Sequence, residues 1–376
     1  MKKASKFKAF FIITIILPLF EIKKTETVAS TLRIKFMNRL SFFLIPFALY
    51  LISCGDPIET APIKNTTQEL TNPSLDSLNH LILNDVNNID LYLKRSDLYF
   101  SNNQYDAAFK DLRKAKRIDS TNANIYLRAG KIMYNNQSFA EAKQNFETCL
   151  EYDGNQKYCR LENAKMELLL ENYSNALMEI NKALKVDKYF SEAYFLKGRY
   201  YELKGDTTNA VSSYSTAIEN DPNYFDAYLQ IAVLYTAINS DLAIEYYNSA
   251  LEIKPKSVEA LQNLGLFYQN SGQFEKAIAN YNKAELIMPD NAIVNYNKGY
   301  IYLVFKNEMD SAIHEFSQAT YKFPNYYQAY YNLGLAFERK GNLHKALNNF
   351  DNSLKIKPDY TPAAISKGRV AKTLTP

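Results

Sequence analysis

The stretch VEALQNLGLFYQNSGQFEKAIANYNKAELIMPD, Val258 to Asp290, decides how the rest of the chain is read. Within it Leu264, Gly265 and Tyr268 are followed by Ala277, Tyr281, Ala284 and Pro289, and a shift of about 34 residues finds most of these residue types again. Apolar residues stand at helical spacing in both halves, so the stretch reads as two helices of roughly a dozen residues each. Gly265 and Ala277 are small where the two helices approach, and larger side chains there would push them apart. Tyr281 and Ala284 lie about one turn apart on the second helix and form one packing stripe. Asn270-Ser271-Gly272-Gln273 supplies the turn between the helices, and Pro289 discourages the second helix from running on.

Working outward, eight such units stand in tandem: 89–122, 123–156, 157–190, 191–224, 225–257, 258–291, 292–326 and 327–360. Tyr92, Tyr99, Ala108, Leu112 and Ala115 carry the pattern in the first, and Tyr126, Gly130, Ala142, Phe146 and Cys149 in the second. The third is the most divergent, with Ala164 where glycine is usual, then Ala176, Ile180 and Ala183. Tyr194, Gly198, Tyr201, Ala210, Tyr214, Ala217 and Pro222 restore it in the fourth. The fifth is one residue short around Asn239 to Asp241, and the seventh has one extra residue near Asn307 to Asp310. Both changes fall in the inner turn, so the expectation is an altered loop with the helix register kept.

These tandem units resemble the tetratricopeptide repeat. The resemblance implies an all-α chain, a right-handed superhelical α-solenoid of tandem tetratricopeptide helical hairpins whose first helices line a concave groove. Asn263, Asn297 and Asn332 each stand just before the Leu-Gly or Lys-Gly pair of the last three repeats, and Gln230 holds the equivalent place in the fifth. In some tetratricopeptide proteins an asparagine here hydrogen-bonds a bound extended peptide, and an amide can donate to and accept from a peptide unit at once. Tyr296, Tyr300 and Tyr331 are expected to flank this ladder. The plain alternative is that asparagine is simply common on the solvent faces of this chain. Toward the amino-terminal half the corresponding residues are mixed: Asp97, Lys131, Lys165 and Arg199. The three cations would suit an acidic ligand segment, but the family's Lys, Asn and Arg carboxylate clamp is not complete here.

Upstream, the chain from Met37 reads MNRLSFFLIPFALYLISCGD. Arg39 precedes an apolar core, and Leu51, Ile52, Ser53 and Cys54 resemble the lipobox of a bacterial lipoprotein signal. The resemblance implies cleavage before Cys54 and lipid attachment to its sulfur, with an uncleaved anchor as the alternative. The apolar runs Phe10 to Phe20 and Phe42 to Ser53 are each shorter than the roughly 20 residues of a spanning helix. The simplest account of the segment starting MKKASKFKAF takes Met37 as the initiator. Gly55, not an aspartate, follows the cysteine, which favours outer-membrane delivery. Residues 1–53 thus read as a targeting region, and the Pro-, Thr- and Asn-containing 54–74 as a flexible tether. Residues 75–88 read as a capping helix, and 361–376 as a short terminal cap with a disordered end.

The chain has 376 residues with a formal net charge of +4, and its Lys/Arg residues are dispersed among Asp/Glu. That leaves no basic stripe for nucleic acid. No CxxC pair occurs and His80, His314 and His344 lie far apart, so neither a metal site nor a cofactor is expected. Cys149 and Cys159 read as two separate, partly buried thiols, since the local spacing does not establish a bridge. No convergent acid/base pair or nucleophile system points to an enzyme or a small-molecule substrate. The leading expectation is a non-enzymatic, membrane-tethered adaptor that binds another protein or peptide segment. A structural subunit docking through its convex face or edges is the competing one.

Overall fold

The computed structural model describes residues 74–375, which form eighteen α-helices and one π-helical segment and, among the described residues, no strand. The chain divides into two compact units, Met1–Ile118 and Asp119–Pro376.

In the first unit, α1 (Leu75–Asn84), α2 (Ile89–Ser101) and α3 (Tyr105–Ile118) pack in sequence. Ser74 caps α1 by accepting a hydrogen bond from the backbone N–H of Ser77 at 3.2 Å, satisfying one of the free donors of the first turn. Arg95 on α2 holds both oxygens of buried Asp111 on α3 at 2.6 and 2.7 Å and donates to Asn79 on α1.

The second unit is a row of hairpins. They are α4 (Ala123–Asn135) with α5 (Phe139–Tyr152), α6 (Lys157–Leu169) with α7 (Tyr173–Val186), and α8 (Ser191–Leu203) with α9 (Thr207–Asn220). There follow α10 (Phe225–Ala237) with α11 (Leu242–Ile253), and α12 (Val258–Asn270) with α13 (Phe274–Ile287). Next comes α14 (Ala292–Tyr300), continued by the π-helix Ile301–Lys306, with α15 (Met309–Lys322), then α16 (Tyr327–Arg339) with α17 (Leu343–Ile356). The last helix, α18 (Thr361–Leu374), packs on the final hairpin through Val370. The segment after the last repeat thus caps the final hairpin and is helical to Leu374, where a disordered end was expected.

In most hairpins a ring of the second helix lies over a small residue of the first. Built onto Gly265, a Cβ would stand 2.7 Å from Cε1 of Tyr281, closer than carbon atoms approach. Gly130, Gly198, Gly299 and Gly334 meet Phe146, Tyr214, Phe316 and Phe350 in the same way. Where a Cβ is present in the first and third repeats, at Ser96 and Ala164, the facing residue is the aliphatic Leu112 or Ile180. The short fifth repeat sets Ala232 in the register that faces Tyr247. The core crosses hairpin boundaries: in the fifth to seventh repeats one cluster joins Phe225, Leu229, Tyr247, Leu264, Tyr281 and Ile301.

The turn of every hairpin passes through a residue of positive φ: Asn103, Gln137, Glu171, Gly205, Asn239, Gly272, Asn307 and Gly341. In the sixth repeat the closing bond runs from Gln273 N–H to Tyr268 C=O at 2.8 Å. In the seventh it runs from Glu308 N–H to Tyr302 C=O at 2.9 Å, one residue further. The extra residue of the seventh repeat is therefore not in the turn, as its spacing suggests, but inside the first helix. One added residue widens that last turn to π geometry while Asn307 keeps the turn conformation. The missing residue of the fifth shortens α11 to 12 residues against 14 for α13, and Ala243, Tyr247 and Ala250 remain buried.

Cys149 and Cys159 are joined in a disulfide between the end of α5 and the start of α6, with Cα atoms 6.2 Å apart and both residues fully buried. This corrects the reading of two separate thiols. Packing of a second helix against the next first helix brings two positions ten residues apart within bridging reach.

Candidate peptide-binding face

Within the second unit, successive first helices touch one another directly at α6/α8, α10/α12 and α16/α18, and come closer than successive second helices do. The first helices therefore line the inner side of this row, and their outward-facing positions form its candidate binding surface.

On that surface Gln230, Asn263 and Asn297 are half-buried. Gln262, beside Asn263, buries its Nε2 with no hydrogen-bond partner. Asn297 lies against the Tyr281 hydroxyl, which donates to Oε1 of Gln269 at 3.1 Å. Burial pushes the Tyr281 hydroxyl pKa upward, so it stays protonated and donates.

Asn332 departs from the expected ladder. It is only 6% exposed, and its Nδ2 donates to the Tyr296 hydroxyl at 3.0 Å. Tyr296 is itself buried, stacked on Tyr326 at 4.9 Å and edge-on to Phe316 at 5.7 Å. Neither side chain is free on the surface, because the position before Asn297 points into the next hairpin. Tyr300 is half-buried, with its ring edge toward Phe305, and half-buried Tyr331 packs on Phe350 and Tyr360.

The three cations of the amino-terminal half lean on carboxylates of their own chain. Lys165 and Lys131 reach Glu162 at 3.0 and 4.0 Å, and Arg199 reaches Glu202 at 3.7 Å. Cys54 lies outside the described residues.

Sequence reasoning missed a polar network between the sixth and seventh hairpins. Lys298, 5% exposed, stands where Leu264 and Leu333 stand in neighbouring repeats and binds Glu285 at 2.7 Å and Glu315 at 2.9 Å. Asn295 donates to both carboxylates, at 2.8 and 2.7 Å, and Lys322 joins Glu285 at 3.0 Å and Asn295 at 2.6 Å. Burial alone would raise the Glu285 carboxyl, but these donors outweigh it and draw its pKa down to about 2. Burial would likewise lower the Lys298 ammonium, and its two carboxylates raise it instead. The sign in the sequence was a lysine directly before Gly299, at the position that is leucine in the sixth and eighth repeats on either side.

Family models described as TPR repeat match residues 97–137 and 268–304, and models described as Tetratricopeptide repeat match 123–156, 191–224, 225–257, 246–279 and 327–360. Together they cover more than half of the chain. Anaphase-promoting complex subunit 3 of Schizosaccharomyces pombe is 24% identical over 196 residues, 52% of this chain and 29% of that protein. Mitochondrial import receptor subunit TOM70 of Rattus norvegicus is 25% identical over 186 residues, 47% of this chain and 30% of its own length. The chain thus spans under a third of either relative. Among solved structures, the APC/C hetero-tetramer Cut9-Hcn1 superposes with a TM-score of 0.51 at 19% identity, covering 78% of this chain and 58% of that one. The C-terminal part of a TPR repeat-containing protein from Cytophaga hutchinsonii gives 0.54 at 18% identity, covering 64% and 98%. Both share the fold. The repeats of this chain are tetratricopeptide repeats, and the chain belongs with the all-α solenoid proteins built from them.

Proposed function

We propose that this chain is a non-enzymatic adaptor of the bacterial cell envelope, tethered by lipid at Cys54, that holds an extended segment of another protein along its first helices. The observation that carries the binding reading is the group Gln230, Gln262 and Asn263. These are amides without charged partners, half-buried on the inner face, one of them with a buried donor left unpaired. An amide row of this kind matches the alternating donors and acceptors of a peptide backbone. The relatives it resembles include an import receptor subunit and a subunit of a multi-protein complex. Two features support the envelope reading. Leu51-Ile52-Ser53-Cys54 matches a lipobox, and the Cys149–Cys159 bridge belongs to an oxidising compartment.

The test is site-specific photocrosslinking in intact cells, with the probe at Leu266 on the inner face or at exposed Met178 on α7, in wild type and in Gln230→Ala/Asn263→Ala. A partner joined from Leu266 alone and lost in the double variant supports the reading, and equal crosslinking from both positions sinks it. Labelling with radioactive palmitate tests the tether separately: Cys54→Ser should abolish incorporation, and retained label would remove the lipid anchor from the proposal.

A further inference from the structure

The second helix of each repeat carries one exposed position two residues after the small residue that packs under the next hairpin. In six repeats it is charged: Arg117, Glu151, Lys185, Glu219, Glu252 and Lys355. In the two consecutive repeats between the last pair it is apolar, Leu286 at 84% exposure and Tyr321 at 83%. Four and seven residues before them on the same helix faces stand Asn282 and Ala279 on α13, and Ser317 and His314 on α15. None of the residues of either strip is a lysine, arginine, aspartate or glutamate. Single exposed apolar residues are ordinary, but two in register on adjacent hairpins, replacing charges seen in every other repeat, mark a contact surface.

We propose that this strip of α13 and α15 is where a second copy of the chain docks, in a two-fold contact. A two-fold axis lying in the contact, parallel to the helices and between α13 and α15, reverses the order of hairpins and keeps each register position at the same height. Leu286 then meets the partner's Tyr321, and Tyr321 meets the partner's Leu286. One hairpin outward on each side, Glu252 meets the partner's Lys355. Two apolar pairs at the centre are thus flanked by two opposite-charge pairs, and no like charges face one another at this register. A charged residue at the centre would lose its hydration against a neutral side chain unless the facing position carried the opposite sign, and these two repeats carry no charge there. The surface lies on second helices, away from the inner face assigned to a peptide, so the two proposals stand or fall separately.

The test is sedimentation velocity of the full chain in mild detergent over a wide concentration range, for wild type, Leu286→Lys, Tyr321→Glu and the double variant, each checked for an unchanged thermal melt. Wild type should pass from monomer to dimer. Each single variant should weaken association by at least about tenfold. The double variant should regain it, because each lysine then faces the partner's glutamate. A wild type that is monomeric throughout, or one that grows beyond a dimer, overturns the proposal and leaves the strip to a different protein or a lipid surface. Single variants that associate like wild type overturn it too, and a double variant as weak as the singles overturns the reversed-order pairing.

Discussion

The ring of Tyr281 occupies the space that a side chain on Gly265 would need, with Cε1 2.7 Å from where a Cβ would stand. Two effects compete in Gly265→Ala. Replacing glycine within a helix gains about 1 kcal/mol of backbone propensity, whereas forcing a methyl group into a filled contact costs about 1 to 3 kcal/mol. The net expectation is a loss of stability in urea unfolding. The further change Tyr281→Leu, copying the Ala164 and Ile180 arrangement with a smaller aliphatic chain, should recover part of it. Strictly additive losses in the double variant would show that the contact does not set the choice of residue.

A pH dependence follows from Glu285. Its carboxyl stays ionised in the folded chain down to about 2, whereas an unfolded glutamate titrates near 4.3. The folded pKa is depressed, so its stabilisation is fully present above the unfolded value and fades as pH falls through the folded one. The difference in urea midpoint between wild type and Glu285→Gln should be clear at neutral pH and narrower near pH 3. An equal difference at both would remove the charge network as its cause.

Removing the ammonium of Lys298 should be more damaging than removing one carboxylate. Glu315 is 9% exposed and has Lys298 at 2.9 Å as its ion-pair partner. Lys298→Met, similar in length, should therefore cost about 3 kcal/mol or more. A melting temperature equal to wild type would mean that Lys322 and Asn295 suffice to hold both carboxylates.

The bridge between Cys149 and Cys159 closes a loop of ten residues, and chain entropy assigns it roughly 3 kcal/mol. Cys149→Ala/Cys159→Ala should lower the urea midpoint to about where dithiothreitol brings the wild type, and dithiothreitol should leave the variant unmoved. A further fall of the variant on reduction would place the effect elsewhere.

The seventh repeat offers a structural test. Deleting exposed Val304 returns it to the common length, with Phe305, Lys306 and Asn307 moving into ordinary helix and turn positions. The variant should melt cooperatively within a few degrees of wild type. Loss of the cooperative transition would show that the π geometry is required for packing rather than absorbed by it.

The hairpins were legible because their signal is local: Gly265, Tyr268, Ala277 and Tyr281 recur at fixed spacing, and each type has one packing reason. The binding face was only half legible, since equivalent positions differ in their neighbours. Asn263 follows a repeat with Leu229 on the preceding first helix, which offers no polar atom, and remains half-buried. Asn332 follows one with Tyr296 at that place, and the hydroxyl captures its amide. Glu285, Lys298 and Glu315 lie on three successive helices, so their convergence depends on how hairpins stack, which a one-dimensional period does not contain. The same holds for Cys149 and Cys159. The extra residue near Asn307 was visible, but a turn and a π-helix accommodate an insertion with the same sequence spacing.

The turns differ in one respect that bears on how the array comes apart. Gly205, Gly272 and Gly341 adopt positive φ without steric penalty, whereas Gln137 and Glu171 hold it with full side chains, at about 1 kcal/mol or more each. These two turns belong to neighbouring hairpins, and the Cys149–Cys159 bond is the covalent tie between those same hairpins. The weakest pair of links in the row is thus the pair that is chained together. In an oxidising medium, opening should start elsewhere and reach these repeats late. Once the bond is reduced, they become the place where the row parts, and amide exchange there should accelerate first.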